Sequence, residues 1–129
     1  MSLVPSVKLE QLDGDYAVAR LDRVEAIPAW ADGEGFVSIS RTADELSVVC
    51  LAGRVPSSVR HEAGWTCFKF NGPFAFDETG IALAVIRPLS EAEIGIFLVS
   101  TFDTDYLLIK SENAARARVL LAARGHRFG

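Results

Sequence analysis

Two fifteen-residue stretches of this chain, Gly35–Val49 and Gly95–Ile109, lie over one another without a gap at a constant offset of 60. Apolar positions fall on apolar positions, and a glycine opens both segments. A serine ends both first runs, and an acidic residue precedes both second runs. Each segment is two Val-, Ile- or Phe-rich runs around a polar turn, the pattern of a β-hairpin. A hairpin used twice at fixed spacing implies a chain built from two copies of one supersecondary unit.

The surroundings of the second copy define that unit. Trp65–Phe70 reads as a strand ended by Asn71-Gly72-Pro73, and Asp77 is a suitable N-cap for an apolar helix over Gly80–Ile86. Pro88 either ends this helix or kinks it through a further turn to Glu93. Gly95–Ser100 and Tyr106–Ile109 then form a strand pair. Ser111 can cap a closing helix that runs through Arg124 and stops at Gly125, and His126–Phe128 can add an edge strand. The order β, α, β, β, α, β is the split βαβ or ferredoxin-like plan. In the first half, Val7–Leu12 and Tyr16–Leu21 suggest a hairpin closed by Asp13-Gly14. Ala26–Ala31 can form about one helical turn, Phe36–Ser40 and Leu46–Leu51 are strands, and Gly53–Arg60 is a loop. The expected fold is α+β, with two tandem ferredoxin-like βαββαβ half-domains: a degenerate one over 1–62 and a second over 63–129.

With 129 residues, 50% of them apolar, the chain can bury one sizeable core or two small fused ones. Thirteen basic residues against seventeen acidic ones, scattered along the sequence for a net charge of −4, argue against nucleic acid as a partner. Met1–Lys8 lacks an apolar signal core, and no run is long enough to span a membrane, so a cytoplasmic protein is expected. Cys50 and Cys67 lie in apolar strand-like runs and read as reduced core residues. His61 and His126 read as surface histidines, because neither belongs to a metal-binding spacing or a catalytic motif. A nucleophile elbow and a glycine-rich phosphate cradle are both missing from the sequence. These readings favour no enzyme activity, no cofactor and no metal. Asp77, Glu78, Asp103 and Asp105 could be drawn as a carboxylate cluster, with helix caps and turn residues as the plainer explanation.

Binding chemistry is concentrated in Phe74–Ile81 and Ser100–Asp105. The first places the amides of a helix N-terminus where a ligand carboxylate could meet them, and Gly80 permits close approach. The second places hydroxyls and carboxylates on a strand-to-strand turn. Glu78 or Asp105 could accept from an ammonium or guanidinium group, which together makes an amino-acid-shaped site. Phe76–Ile81, Pro88-Leu89 and Ser100–Ile109 resemble the corresponding segments of ACT-domain proteins of the CASTOR type, the tandem-ACT arginine sensors. The resemblance extends more weakly through Phe36–Val49. It implies a regulatory module that binds an amino acid or related polar metabolite between ACT units. Ala75, Glu78, Gly80, Ile81, Thr101, Phe102, Thr104 and Asp105 would contact the ligand, and Gly95 and Ile96 would come from the facing unit. The sensors have four ACT units and this chain has room for two, so a homodimer through the second half-domains is expected. Output would then pass through a separate regulated protein. Asp103-Thr104 stands where an aromatic can occur in the sensors, so the ligand need not be arginine. A structural or protein-interaction module without a small ligand is the alternative.

Overall fold

The computed structural model describes residues 5–71 and 79–129. In chain order the strands are β1 (Lys8–Gln11), β2 (Tyr16–Leu21), β3 (Ser38–Arg41), β4 (Leu46–Leu51), β5 (His61–Phe70), β6 (Ile96–Ser100), β7 (Asp105–Lys110) and β8 (Arg127–Phe128). The helices are α1 (Ile81–Glu91) and α2 (Ala114–Ala123). The chain forms two compact units: Asp13–Trp65 is inserted into a host made of Met1–Leu12 and Thr66–Gly129. Division into 1–62 and 63–129 therefore changes at the N-terminus, because β1 finds its partners in the host. It runs antiparallel to β5, Leu9 opposite Phe70, and parallel to β8, Leu9 opposite Phe128. The expected hairpin through Asp13-Gly14 does not form: the Leu12 amide donates to the Cys67 carbonyl at 2.9 Å, and β2 pairs with β4 and the first half of β5.

The host strands are ordered β6-β7-β5-β1-β8. This is the ferredoxin-like order with β1 wedged between the first and last strands of the βαββαβ path. Alternation along the strands sends Phe68 and Phe70, and Leu107 and Ile109, into one core. Val85 and Leu89 of α1 and Ala117 and Leu121 of α2 meet them there at helical spacing. Gly125, at φ 89°, ends α2 as expected. The His126 amide reaches back to the Leu121 carbonyl and the Gly125 amide to that of Ala122, which completes a Schellman cap. Ser111 does not cap α2: it begins a 3-10 turn, Ser111–Asn113, and its hydroxyl pairs with that of Thr66 at 2.9 Å.

Pro88 lies inside α1, which continues to Glu91. Proline has no amide hydrogen, so the Ala84 carbonyl loses its partner within the helix. His126 supplies the replacement. Its Nε2 lies 3.0 Å from the Ala84 oxygen, and its Nδ1 accepts from the Val7 amide at 3.1 Å. At 3% exposure His126 is a core residue, contrary to the surface position expected for it, because both ring nitrogens hold backbone groups.

The inserted unit has strand order β3-β4-β2-β5, all antiparallel, the same order with its crossovers reduced to 3-10 turns at Ala29–Ala31 and Ala52–Arg54. Pro28 and the Gly33-Glu34-Gly35 stretch leave too little uninterrupted chain for a helix. A small core of Ala19, Ala31, Val48 and Cys50 is covered by Leu21, Trp30, Ile39, Val55 and Val59. The Arg54 guanidinium ties the two turn regions together, donating to the carbonyls of Trp30 (3.1 Å) and Glu34 (2.9 Å).

The repeated hairpins are real, but their offset is 59. Arg41 pairs with Leu46 around the loop Thr42–Glu45, and Ser100 pairs with Asp105 around Thr101–Thr104. In each loop the first threonine amide donates to the fourth carbonyl, at 2.8 Å in both. At this offset Ile39 matches Leu98, Val48 matches Leu107 and Cys50 matches Ile109, all facing their unit's own core. A slip of one residue would send every side chain to the opposite face.

Candidate ligand site and family

The exposed end of the β6–β7 hairpin is held from within. Besides the amide bond, Thr101 Oγ1 donates to the Thr104 carbonyl at 2.9 Å. Thr104 is buried, and its hydroxyl donates to the Phe70 carbonyl at 2.7 Å, tying the turn to the last residue of β5. Thr104 thus uses its side chain to position the turn. Thr101, Phe102 and Asp103 remain exposed, Phe102 at 79%, and Asp105 is half-buried beside them.

Helix α1 starts from Gly80, whose φ of 79° places it in the left-handed region where a side chain is strained. The Gly80 carbonyl accepts from the Ala84 amide at 2.9 Å. The amides of the first turn have no acceptor within the helix, and they carry the positive end of its dipole. Hydrogen bonds alternating with covalent neighbours join this helix start to the turn. Ala84 is bridged by His126 to Val7, the next residue Lys8 accepts from the Asn71 amide at 2.9 Å, and Phe70 accepts from Thr104. The start of α1 and the Thr101–Thr104 turn are thus linked through the ends of β1 and β5.

Ala75 and Glu78 lie outside the described residues, as does Asp77, the expected cap. Gly95 and Ile96 are not brought to this end. Ile96 is four residues from Ser100 along β6, about 13 Å at strand rise. A Cβ at Gly95 would meet nothing within 4 Å, so open space lies beside it. The residue that sequence reasoning missed is His126. Its signal was indirect: a proline in the apolar run Ile81–Leu89 orphans a carbonyl that some donor has to satisfy.

Burial pushes Cys67 from 9.0 up to about 12. Burial also raises Cys50, partly opposed by Arg54, and both cysteines are free.

The family model for the ACT domain matches residues 60–122, and a model of an N-terminal domain matches residues 14–58. Residues 60–122 are an ACT domain. A crystal structure of an Agrobacterium tumefaciens protein is similar to this ACT-domain protein at 61% identity and a TM-score of 0.93, over 97% of this chain and 93% of that one. A Vibrio cholerae protein described as a possible transport protein shares 17% identity and a TM-score of 0.74, over 92% and 90% of the two chains. Escherichia coli aspartokinase III, solved in complex with aspartate and ADP, shares the fold at 11% identity and a TM-score of 0.64; 92% of this chain matches 32% of the kinase.

Proposed function

We propose that this ACT-domain protein is a non-catalytic regulatory module that binds an amino acid or a related polar metabolite at the end of the host unit, in the manner its resemblance to CASTOR-type proteins implies. The observation that carries this reading is the hydrogen-bonded path from Gly80 to Thr101. It links a helix N-terminus, suited to a carboxylate, to a turn bearing Thr101, Phe102 and Asp105, suited to an ammonium group, and so supports a site at this end of the unit. The aspartokinase likeness supports the fold, and aspartate in the E. coli structure fits the proposed ligand class.

Completing the site calls for a second copy. Among the described residues β6 pairs with β7 alone, and Ile96, Phe97, Leu98 and Val99 are all half-buried. An apolar edge without lysine or proline invites another strand. A partner chain on that edge would bring its own Gly95 and Ile96 to the ligand and form the site twice. A ligand bridging two chains would stabilise the associated state by linkage, and a separate regulated protein would read the change.

Thermal shift across the twenty amino acids, repeated on Glu78→Ala and Asp105→Ala, tests the reading. A ligand at a hundredfold excess over its Kd adds about 2.7 kcal/mol to the parent. It is expected to add much less to either variant, and the parent is expected to sediment as a dimer. Equal shifts in all three proteins would place the ligand elsewhere, and no shift with any amino acid would favour the protein-interaction alternative.

A further inference from the structure

We infer that His126 is a proton-operated latch: neutral, it clamps the chain entering β1 onto the first turn of α1, and on taking up a proton it lets that segment go. The two ring nitrogens have fixed and opposite duties. The Ala84 carbonyl, 3.0 Å from Nε2, can only accept, so Nε2 carries the hydrogen. The Val7 amide, 3.1 Å from Nδ1, can only donate, so Nδ1 has to be bare. An imidazolium carries a hydrogen on both nitrogens. It would set an N–H against the Val7 N–H at a position that is 3% exposed, where water cannot repair the loss. His61, the other histidine, has no such conflict: its Nδ1 lies 2.6 Å from the Val59 carbonyl, a bond that the charged ring also makes.

The elements that meet at the ring carry Lys8 and Glu10 on β1, Arg87 and Glu91 on α1, Arg116 and Arg118 on α2, Arg124 just past it, and Arg127 on β8. Glu91 is shared by Arg124 (3.2 Å) and Arg87 (4.0 Å), and no carboxylate among the described residues pairs with the ring. A charged His126 therefore gains no partner in exchange for the amide it loses. The latched segment is short. The Ser6 hydroxyl donates to the Gly125 carbonyl at 2.6 Å, and the Arg127 amide donates to the Val7 carbonyl at 3.0 Å. Just ahead, a Cβ on Gly80 would lie 3.9 Å from Pro5 Cγ, so Pro5 rests beside the residue that starts α1. Release uncovers that helix start. Its bearing on a ligand rests on the reading of the α1 N-terminus as part of a site, and the latch itself is tested with no ligand present.

The closed state admits no proton at Nδ1 and the open state does, so acid favours opening. For an open-state imidazole that titrates near about pH 6.5, going from pH 7.5 to pH 5.5 multiplies the open fraction about tenfold. The test follows amide hydrogen exchange in the full chain at those two pH values, corrected for intrinsic rates, together with the nitrogen-15 shifts of both imidazoles. Protection at Val7 and Arg127 is expected to fall about tenfold at the lower pH, while the β4 and β7 amides keep theirs. At pH 7.5 His126 should show a bare Nδ1 and a protonated Nε2. In His126→Asn, whose carboxamide accepts and donates without titrating, the fall at Val7 should vanish. A charged His126 ring at pH 5.5 with Val7 still fully protected, or an equal loss in every host strand, would overturn the proposal. The ring shifts of the parent decide the point even where His126→Asn fails to fold. An amino-acid screen that finds no ligand would remove the link to a site and leave the exchange result standing.

Discussion

Cys67 has no accessible surface, and its thiol faces no charge able to offset desolvation, which is why it is pushed up to about 12. A thiol whose folded value lies above its unfolded value of 9.0 stabilises the fold fully below pH 9. That contribution is lost as pH rises toward 12, because the unfolded chain ionises first. The loss amounts to at most about 1.4 kcal/mol per pH unit for this one group. Urea unfolding of the parent and Cys67→Ala between pH 8 and pH 11 should give parallel stabilities up to about pH 9 and then a steeper decline in the parent. Tyrosine and lysine titrations are common to both proteins and cancel, so curves that stay parallel throughout would show the thiol to be solvated. Burial of both cysteines could be read from the apolar runs around them. The role of Thr104 could not, since a turn threonine in sequence does not reveal that its hydroxyl reaches a carbonyl 34 positions away.

Among the elements, α1 and the tail after α2 depend on each other through a single acceptor. Pro88 removes the donor that would have satisfied Ala84, and His126 restores it while receiving the Val7 amide. Replacing His126 with Leu leaves a buried carbonyl and a buried amide unpaired, an expected loss of about 2–4 kcal/mol. Replacing Pro88 with Ala returns an amide to the helix that can satisfy Ala84 directly. In a double-mutant cycle His126→Leu should therefore cost about 1 kcal/mol less on the Pro88→Ala background than on the parent. Additive effects would mean that the ring does not serve that carbonyl. Most elements were legible from periodicity alone: β4 falls on Leu46–Leu51, and the Gly125 stop of α2 holds. The offset of the repeat was not legible to one residue. Apolar runs without strict alternation, such as Gly95–Ser100, tolerate a shift of one on composition, and only the threonine turns fix the register.

At the scale of the whole molecule, the path of the chain departs from a head-to-tail tandem. Sequence spacing predicts two successive units, but hydrogen bonding to β5 and β8 recruits the first strand into the host, and nothing in the local pattern of Lys8–Gln11 names its partner. A strand at that place is not optional. Leu9 is completely buried in the host core, and without β1 both β5 and β8 would each present an unpaired edge. A chain limited to 63–129 therefore lacks an internal strand of its own sheet and should behave as a partly folded, aggregating species. Leu12 and Cys67 are hydrogen-bonded neighbours on antiparallel chains, so Asp13–Thr66 can be replaced by a two-residue Asn-Gly turn that closes β1 onto β5 as a hairpin. That shortened host should unfold in one cooperative transition by circular dichroism and urea, and it should keep the Cys67 thiol unreactive at pH 8. If it melts without a transition while the 63–129 fragment folds, β1 is an accessory strand, and the host is the C-terminal half alone.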